Sequence, residues 1–209
     1  CYPIQLAYLV WKNTGRTDHF DETFVKGVRR ILEVWRTEQH HEERSPYHFV
    51  RKNCYFTDTL SRGGKGALVK SGTGLIWSGF RPSDDSCVYG YLIPSNMFAV
   101  VVLGYLAEIA NQVLGDEALA AEAEAFRMEV KEAIETLAVV KNEYYGRIYA
   151  YETDGYGQFL LMDDANVPSL LSMEYLGYDG DREVMENTRR FILSEGNPYY
   201  FKGKAAGGI

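Results

Sequence analysis

Segments that are apolar on nearly every side alternate along the chain with segments that are apolar on one side only. Residues 3–13 (PIQLAYLVWKN) are apolar almost throughout, which predicts a short buried helix ending near Gly15. From Asp21 onward, apolar residues recur at helical spacing with charged residues between them, which predicts an amphipathic helix. Asp18 and Asp21 are the candidate caps of this second helix, because an aspartate side chain can accept a hydrogen bond from a free amide of the first turn.

The same order of segments occurs twice more. Residues 95–114 carry almost no charge and predict a buried helix, and residues 116–138 predict an outer helix that is charged on one side. Residues 167–176 are mostly apolar, and residues 182–193 follow with a single apolar stripe. Successive helical hairpins with one buried and one amphipathic member are typical of an α/α toroid, whose inner helices are covered on both sides. We therefore predict an all-α fold, an incomplete toroid of helical hairpins with long loops.

Two long connections separate the hairpins, and loops of this length tend to be functional. The first, residues 40–93, ends with Asp84-Asp85 ahead of a Pro-Ser pair, and the second, residues 141–166, ends with Asp163-Asp164 ahead of another. Proline and serine are favoured at a helix start, so each Pro-Ser pair predicts one. Residues 146–157 (GRIYAYETDGYG) predict a small β-hairpin within the second connection.

Composition and charge narrow the classes of partner. A content of 46% hydrophobic residues in 209 suffices for a large packed core, and a net charge of −7 argues against nucleic acid or an anionic membrane as partner. We expect no segment to reach the roughly 20 apolar residues of a membrane span. The three cysteines are widely spaced, which predicts buried thiols rather than a disulfide framework or a zinc site. His40, His41 and His48 have no acidic or thiolate partner at metal-ligand spacing, so we predict solvated or packed histidines and no metal site.

Residues 77–91 (WSGFRPSDDSCVYGY) concentrate the side chains that hold neutral sugars. Carboxylates and guanidinium groups bridge sugar hydroxyls, and aromatic faces cover the apolar side of the ring. Arg81 is a candidate for orienting a carboxylate or binding a hydroxyl, with a structural ion pair as the alternative. The aromatic candidates, for which a core position is the alternative, are Trp77, Tyr89 and Tyr91. The candidates from the second connection are Asp163, Asp164 and Asn166, and for Asp164 and Asn166 capping or loop bracing is the alternative.

Three segments, WSGFRPSDDSCVYGYLIPSNMFAVV, LLMDDANVPSLLSMEYLGY and EGNPYYFKGKAAGGI, resemble glycoside hydrolase family 125, the bacterial and fungal exo-acting α-1,6-mannosidases. The resemblance covers essentially the whole chain in the family's order. It implies an (α/α)6 barrel, of which residues 1–209 would be the central portion of a single catalytic domain. It also implies hydrolysis of nonreducing terminal α-1,6-linked mannose with inversion, without metal or other cofactor, and a mannose-containing oligosaccharide or N-glycan as the partner.

The resemblance places the general acid in the FRPSDD segment, as Asp84 or Asp85, with a slight preference for Asp85. Neighbouring side chains of an extended backbone point to opposite faces, so only one of the two can face the glycosidic oxygen. Inversion needs a second carboxylate about 6.5–9.5 Å away, which consecutive aspartates cannot supply. In the family the base is a glutamate in a later His-Glu-Ser segment, which these residues lack. We therefore expect a partial chain, without both terminal parts of the domain, that is inactive alone.

Two alternatives remain beside the hydrolase. The first is a noncatalytic mannoside-binding remnant of such an enzyme. The second is a metal-dependent α-toroid such as an isoprenoid cyclase, in which paired aspartates hold magnesium against a diphosphate. It is disfavoured because DDSCV and DDANV lack the further carboxylate of an Asp-Asp-x-x-Asp motif, and because no basic cluster is present for a diphosphate. The sequence leaves the cellular compartment open.

Overall fold

The structure is a computed structural model that describes residues 1–209, and it is mostly helical with three small β-sheets. The helices are α1 (Tyr2–Thr14), α2 (Glu22–Glu38), α3 (His41–Arg44), α4 (Ser61–Gly64), α5 (Ile93–Ile109), α6 (Glu117–Leu137), α7 (Met173–Leu176) and α8 (Arg182–Ile192). The strands are β1 (Tyr91–Leu92), β2 (Val139–Asn142), β3 (Gly146–Tyr149), β4 (Glu152–Thr153), β5 (Phe159–Leu160), β6 (Phe201–Lys202) and β7 (Gly207–Gly208). A helix-rich fold with small strand pairs is thus confirmed, and closure into a toroid stays a prediction.

Helix α5 forms the centre of the core, and α1, α6 and α7 pack against it. A proline in its first turn starts the helix where the sequence predicts it. Together with a following π-helical turn, residues 93–114 are long and apolar enough to span a membrane, with a mean hydropathy of 1.7. The expectation that no segment reaches this length is therefore wrong. Over half of the segment is buried within the fold, and burial on several sides is the ordinary reason for such a composition.

Aspartate caps fix the starts of the amphipathic helices. The carboxylate of Asp21 accepts a hydrogen bond from the Phe24 amide at 2.8 Å, and Asp116 accepts one from Leu119 at 2.9 Å. Asp18 is not a cap, because its carboxylate pairs with the Arg16 guanidinium at 2.7 Å. The predicted outer helices are therefore confirmed in type and position.

The prediction of a buried helix over residues 167–176 is largely wrong, because only Met173–Leu176 is helical. Ser169 and Ser172 exchange hydrogen bonds between side chains and backbone, from the Ser169 amide to Ser172 Oγ at 2.9 Å and from the Ser172 amide to Ser169 Oγ at 3.1 Å. Such local bonds compete with the helical ladder for the same amides. The chain therefore turns here instead of starting a helix at Pro168.

Helix α1 forms as predicted but is only partly buried. Ile4 and Ala7 face the core, whereas Leu6 and Leu9 are exposed. The prediction of a buried helix, made from apolar residues on nearly every side, therefore overestimated the burial of α1 within residues 1–209. The prediction of buried thiols is likewise confirmed only in part, because Cys87 is buried while the other two free cysteines are half-exposed.

The predicted hairpin at residues 146–157 contains strands that belong to two different sheets. Strand β3 pairs with the preceding strand β2, whereas β4 lies between β1 and β5. In the second sheet Tyr91 is opposite Thr153 and Leu92 is opposite Glu152. This three-stranded sheet joins the two long connections, because β1 follows the first acidic segment and β5 precedes the second.

Buried asparagines anchor the loops to the helices. Asn96 on α5 accepts a hydrogen bond from the Ile76 amide at 2.8 Å and donates one to the Ile76 carbonyl at 3.0 Å. Asn197 donates to the carbonyls of Asp163 at 3.1 Å and Ile192 at 3.2 Å. Each amide side chain thus satisfies backbone groups that have no partner in regular secondary structure.

Candidate functional site

Glu152, at the start of β4, holds the first acidic segment from both ends. Its fully buried carboxylate accepts a hydrogen bond from Arg81 Nε at 2.6 Å through one oxygen. The other oxygen accepts from the backbone amides of Val88 at 2.7 Å and Tyr89 at 2.8 Å. Arg81 therefore has the structural ion pair that was the alternative to sugar binding. Glu152 lies inside the predicted hairpin and was not among the predicted site residues.

Between these anchor points the chain makes a tight turn that carries both aspartates. The Asp84 amide donates to the Arg81 carbonyl at 3.0 Å, and the Arg81 amide donates to the Asp85 carbonyl at 2.8 Å. Asp84 has a left-handed φ of 67° and an exposed side chain. Asp85 is half-buried, and its carboxylate accepts a hydrogen bond from Ser83 Oγ at 3.1 Å. The structure thus presents Asp84 more openly than Asp85.

Asp84 lines a cleft of about 470 Å³. The other residues of its wall are Tyr47, Phe49, Arg51, Asp58 and Phe80. The rings of Phe49 and Phe80 meet edge to face with centroids 5.3 Å apart. Aromatic rings beside carboxylates and a guanidinium group form the mixture that accommodates a neutral sugar, and the volume lies in the usual range for small-ligand pockets. Apart from Asp84, none of these residues was predicted from the sequence.

The second acidic segment is built differently, because Asp163 is fully buried. Its carboxylate accepts hydrogen bonds from the amides of Leu170 at 2.9 Å and Leu171 at 2.8 Å. Burial raises the pKa of Asp163 to about 7, although the amide hydrogen bonds act in the opposite direction. Asp163 therefore braces the loop from within, and its side chain does not reach a ligand surface.

Tyr151 links the two acidic segments. Its hydroxyl donates to Asp164 Oδ2 at 3.4 Å, and the Arg81 guanidinium lies 5.7 Å from the centre of its ring. Burial, reinforced by the negative charges of Asp164 and Asp163, raises the pKa of the Tyr151 hydroxyl. The other oxygen of Asp164 accepts from the Asn166 amide at 2.8 Å, so Asp164 also braces its loop, and the Asn166 side chain is exposed.

The three predicted aromatic platforms have different surroundings. Tyr91 is fully buried and donates its hydroxyl to the Lys70 carbonyl at 2.7 Å, and burial raises its pKa to about 12. Trp77 is buried as well and stacks on His41 with ring centroids 3.6 Å apart, beside a separate cavity of about 210 Å³. Only Tyr89, which is half-buried, keeps part of its ring accessible.

His41 is held between one carboxylate and one backbone carbonyl. Its Nδ1 lies 2.6 Å from a carboxylate oxygen of Glu38, the last residue of α2, and its Nε2 lies 2.8 Å from the Lys65 carbonyl. The predicted packed role is correct for this fully buried side chain. Nowhere in residues 1–209 do three His, Cys, Asp or Glu side chains come together as a metal site would require.

Comparisons with known proteins gave a family match, a relative and a similar solved structure. A family model described as metal-independent α-mannosidase (GH125) matches residues 1–209. The Meiotically up-regulated gene 157 protein of Schizosaccharomyces pombe (strain 972 / ATCC 24843) is 40% identical over 221 residues, covering 99% of this chain and 42% of that protein. A Streptococcus pneumoniae structure is 50% identical with a TM-score of 0.95, covering 100% of this chain and 49% of that chain. It is described as a metal-independent α-mannosidase in a non-productive substrate complex with α-1,6-mannobiose. The chain thus spans less than half the length of either relative.

Proposed function

Because the chain belongs to glycoside hydrolase family 125, the metal-independent α-mannosidases, we propose that it carries the acid side of an exo-α-1,6-mannosidase site. The reaction is hydrolysis of nonreducing terminal α-1,6-linked mannose from an oligosaccharide or N-glycan, with inversion at the anomeric carbon. The complex of the pneumococcal relative with α-1,6-mannobiose supports this choice of linkage. No cofactor takes part in the proposed reaction.

The observation that carries the proposal is the exposed Asp84 carboxylate at the aromatic cleft. We assign Asp84 as general acid, in preference to Asp85, because the Asp85 carboxylate already accepts the Ser83 hydroxyl. The acid gives its proton to the glycosidic oxygen while the bond from that oxygen to the anomeric carbon breaks. A water molecule, deprotonated by a base on the opposite face of the ring, forms the new bond to carbon.

We propose no base among the residues that line this cleft. Asp58 also lines it, but Thr57, its neighbour, accepts the Ser86 amide at 2.8 Å, so Asp58 lies on a segment bonded directly to the acid segment. Two carboxylates on segments bonded to each other are poorly placed to flank a sugar ring from both faces. We therefore propose that residues 1–209 do not hydrolyse mannosides alone. The alternative is a noncatalytic mannoside-binding protein, for which the same cleft would suffice.

We also propose that residues 1–209 form the central portion of a single (α/α)6 catalytic domain. The outward face of α1 supports this proposal, because Tyr2, Leu6 and Leu9 expose between 44% and 66% of their surface along one stripe. An apolar stripe of this kind on a helix is typical of a face that packs against a further element.

The decisive experiment compares the full-length polypeptide encoded by the gene with residues 1–209 alone. Both are incubated with α-1,6-, α-1,3- and α-1,2-mannobiose, with and without EDTA, while proton NMR follows mannose release and the anomer formed first. We expect release from the 1,6-linked disaccharide by the full-length polypeptide only, with β-mannose as first product and no effect of EDTA. Binding without turnover by the full-length polypeptide would favour the noncatalytic alternative, and loss of activity with EDTA would contradict the metal-independent mechanism.

A further inference from the structure

We infer that Glu152 is the positioning residue that fixes the acid segment of this site, an inference that rests on the proposed function. Glu152 does not line the cleft, so it acts through the residues that it holds. Its two carboxylate oxygens serve different parts of the same segment, Arg81 at the start and the amides of Val88 and Tyr89 at the end. Asp84 and Asp85 lie between these two attachment points.

The contacts transmit the position of Glu152 to the turn. The Arg81 side chain is held by Glu152, while the Arg81 backbone bonds to Asp84 on one side and to Asp85 on the other. Arg81 therefore couples the buried carboxylate directly to the backbone of both aspartates. Asp84 has a left-handed φ of 67°, a conformation that costs free energy and persists where its surroundings over-determine it.

Stability alone does not explain a charge pair at this place. The Arg81 side chain is 9% exposed and that of Glu152 is 0% exposed, so both charges are almost completely removed from water. Desolvation of such a pair offsets most of its attraction, and apolar replacements of similar volume are often equally stable. A charge pair does supply directional hydrogen bonds with fixed geometry, which a catalytic acid requires.

The test uses Glu152→Gln in the full-length polypeptide, with α-1,6-mannobiose as substrate. We expect kcat to fall about 100-fold, as for a reacting group displaced by around 1 Å, while KM changes less than about threefold. The matched control is Glu135→Gln, because the Glu135 carboxylate likewise accepts hydrogen bonds, from the Tyr149 hydroxyl at 2.6 Å and the Tyr178 hydroxyl at 3.0 Å, but outside the acid segment. The control should retain the wild-type kcat even if it lowers stability.

A double variant separates positioning from stability. Arg81→Met combined with Glu152→Gln removes both buried charges and keeps a side-chain oxygen that can accept the amides of Val88 and Tyr89, so its thermal stability should recover relative to Glu152→Gln alone. If Glu152 positions the acid segment, kcat stays low in the double variant. Recovery of kcat together with stability would overturn the inference and leave Glu152 a structural brace.

Amide hydrogen exchange tests, independently of turnover, whether Glu152 fixes the backbone of the acid segment. In Glu152→Gln we expect faster amide exchange across residues 84–91 and unchanged exchange across residues 163–171. Equal exchange in wild type and variant would overturn the inference. A wild-type polypeptide without turnover would contradict the proposed function, and the exchange comparison would still show whether Glu152 fixes the segment.

Discussion

The two Asp-Asp segments of this chain share an aspartate pair ahead of a Pro-Ser pair, yet they differ completely in structure. Asp84 is exposed at a cleft with a left-handed backbone, whereas Asp163 is fully buried and accepts two backbone amides. The difference lies in which carboxylate satisfies the amides that follow. In the second segment Asp163 does so itself, while in the first Glu152 satisfies the amides of Val88 and Tyr89. Because the carboxylate of Glu152 on β4 accepts these amides, the carboxylate of Asp84 stays available for a ligand.

The largest effect that would test this comparison is on turnover. In the full-length polypeptide we expect Asp84→Asn to lower kcat on α-1,6-mannobiose about 1,000-fold, because the amide cannot donate the acid's proton. Asparagine tolerates a left-handed φ, so the backbone of the turn should be preserved. Steady-state kinetics on Asp84→Asn and Asp85→Asn provide the measurement. A larger loss for Asp85→Asn would reverse the assignment of the acid.

The next largest effect is on stability, and it should belong to the second segment. Asp163→Ala leaves the buried amides of Leu170 and Leu171 without acceptors, so we expect the free energy of unfolding to fall by about 2–4 kcal/mol. Asp84→Asn, at the exposed position, should stay within about 0.5 kcal/mol of wild type. Urea denaturation gives both values. Equal losses at the two positions would remove the distinction between them.

The buried carboxyl should also give stability a dependence on pH. The pKa of Asp163 is about 7 in the folded chain and near 3.8 in the unfolded one, so between these values the folded state binds the additional proton. Its contribution to stability is complete below about pH 4 and is lost as pH rises through 7, with a slope of at most about 1.4 kcal/mol per pH unit. In Asp163→Asn this contribution to the slope should vanish. The measurement is the free energy of unfolding from urea denaturation, for wild type and variant, at several pH values between 4.5 and 7.5. If the two free energies change with pH in the same way, Asp163 does not titrate in this range.

The smallest expected effect concerns the partner of Asp85. Ser83→Ala removes the hydroxyl that Asp85 accepts at 3.1 Å, in a half-exposed turn, so we expect a stability loss of less than about 1 kcal/mol. We also expect a change in kcat of less than about threefold, since Asp84 is the proposed acid. Thermal denaturation and kinetics on the same preparation provide the measurement. A loss of kcat as large as that of Asp84→Asn would show that Asp85 takes part in the chemistry.

Hydrophobic periodicity and capping predicted most of the helices, because both are local properties. The helices α2, α5 and α6 begin where a cap or a proline indicates. The prediction of a helix over residues 167–172 was wrong. An apolar run ahead of a helix does not reveal that serine side chains and Asp163 accept hydrogen bonds from the amides of that run. The prediction that α1 is buried was only partly right, because the pattern of one helix does not show which neighbours cover it.

The acidic segments were identified from the sequence, but their surroundings were not. Glu152 and Tyr151 lie within a stretch that looks like an ordinary polar hairpin, and only the pairing of β4 with β1 brings Glu152 to Arg81. Phe49 and Phe80 lie in an irregular connection without periodicity, so nothing local indicates that their rings form one wall. Contacts between residues far apart in the chain decide the site, and a single sequence does not show them.

The central position of α5 bears on the order in which the chain is built. Its most extensive partner is α6, which follows after a turn of only a few residues, whereas α1 lies about eighty residues upstream. Contacts between neighbours in sequence close quickly because little loop entropy is lost. During synthesis the α5–α6 pair is therefore complete within about thirty residues after the end of α5 leaves the ribosome, and the most apolar surface of the protein is covered early.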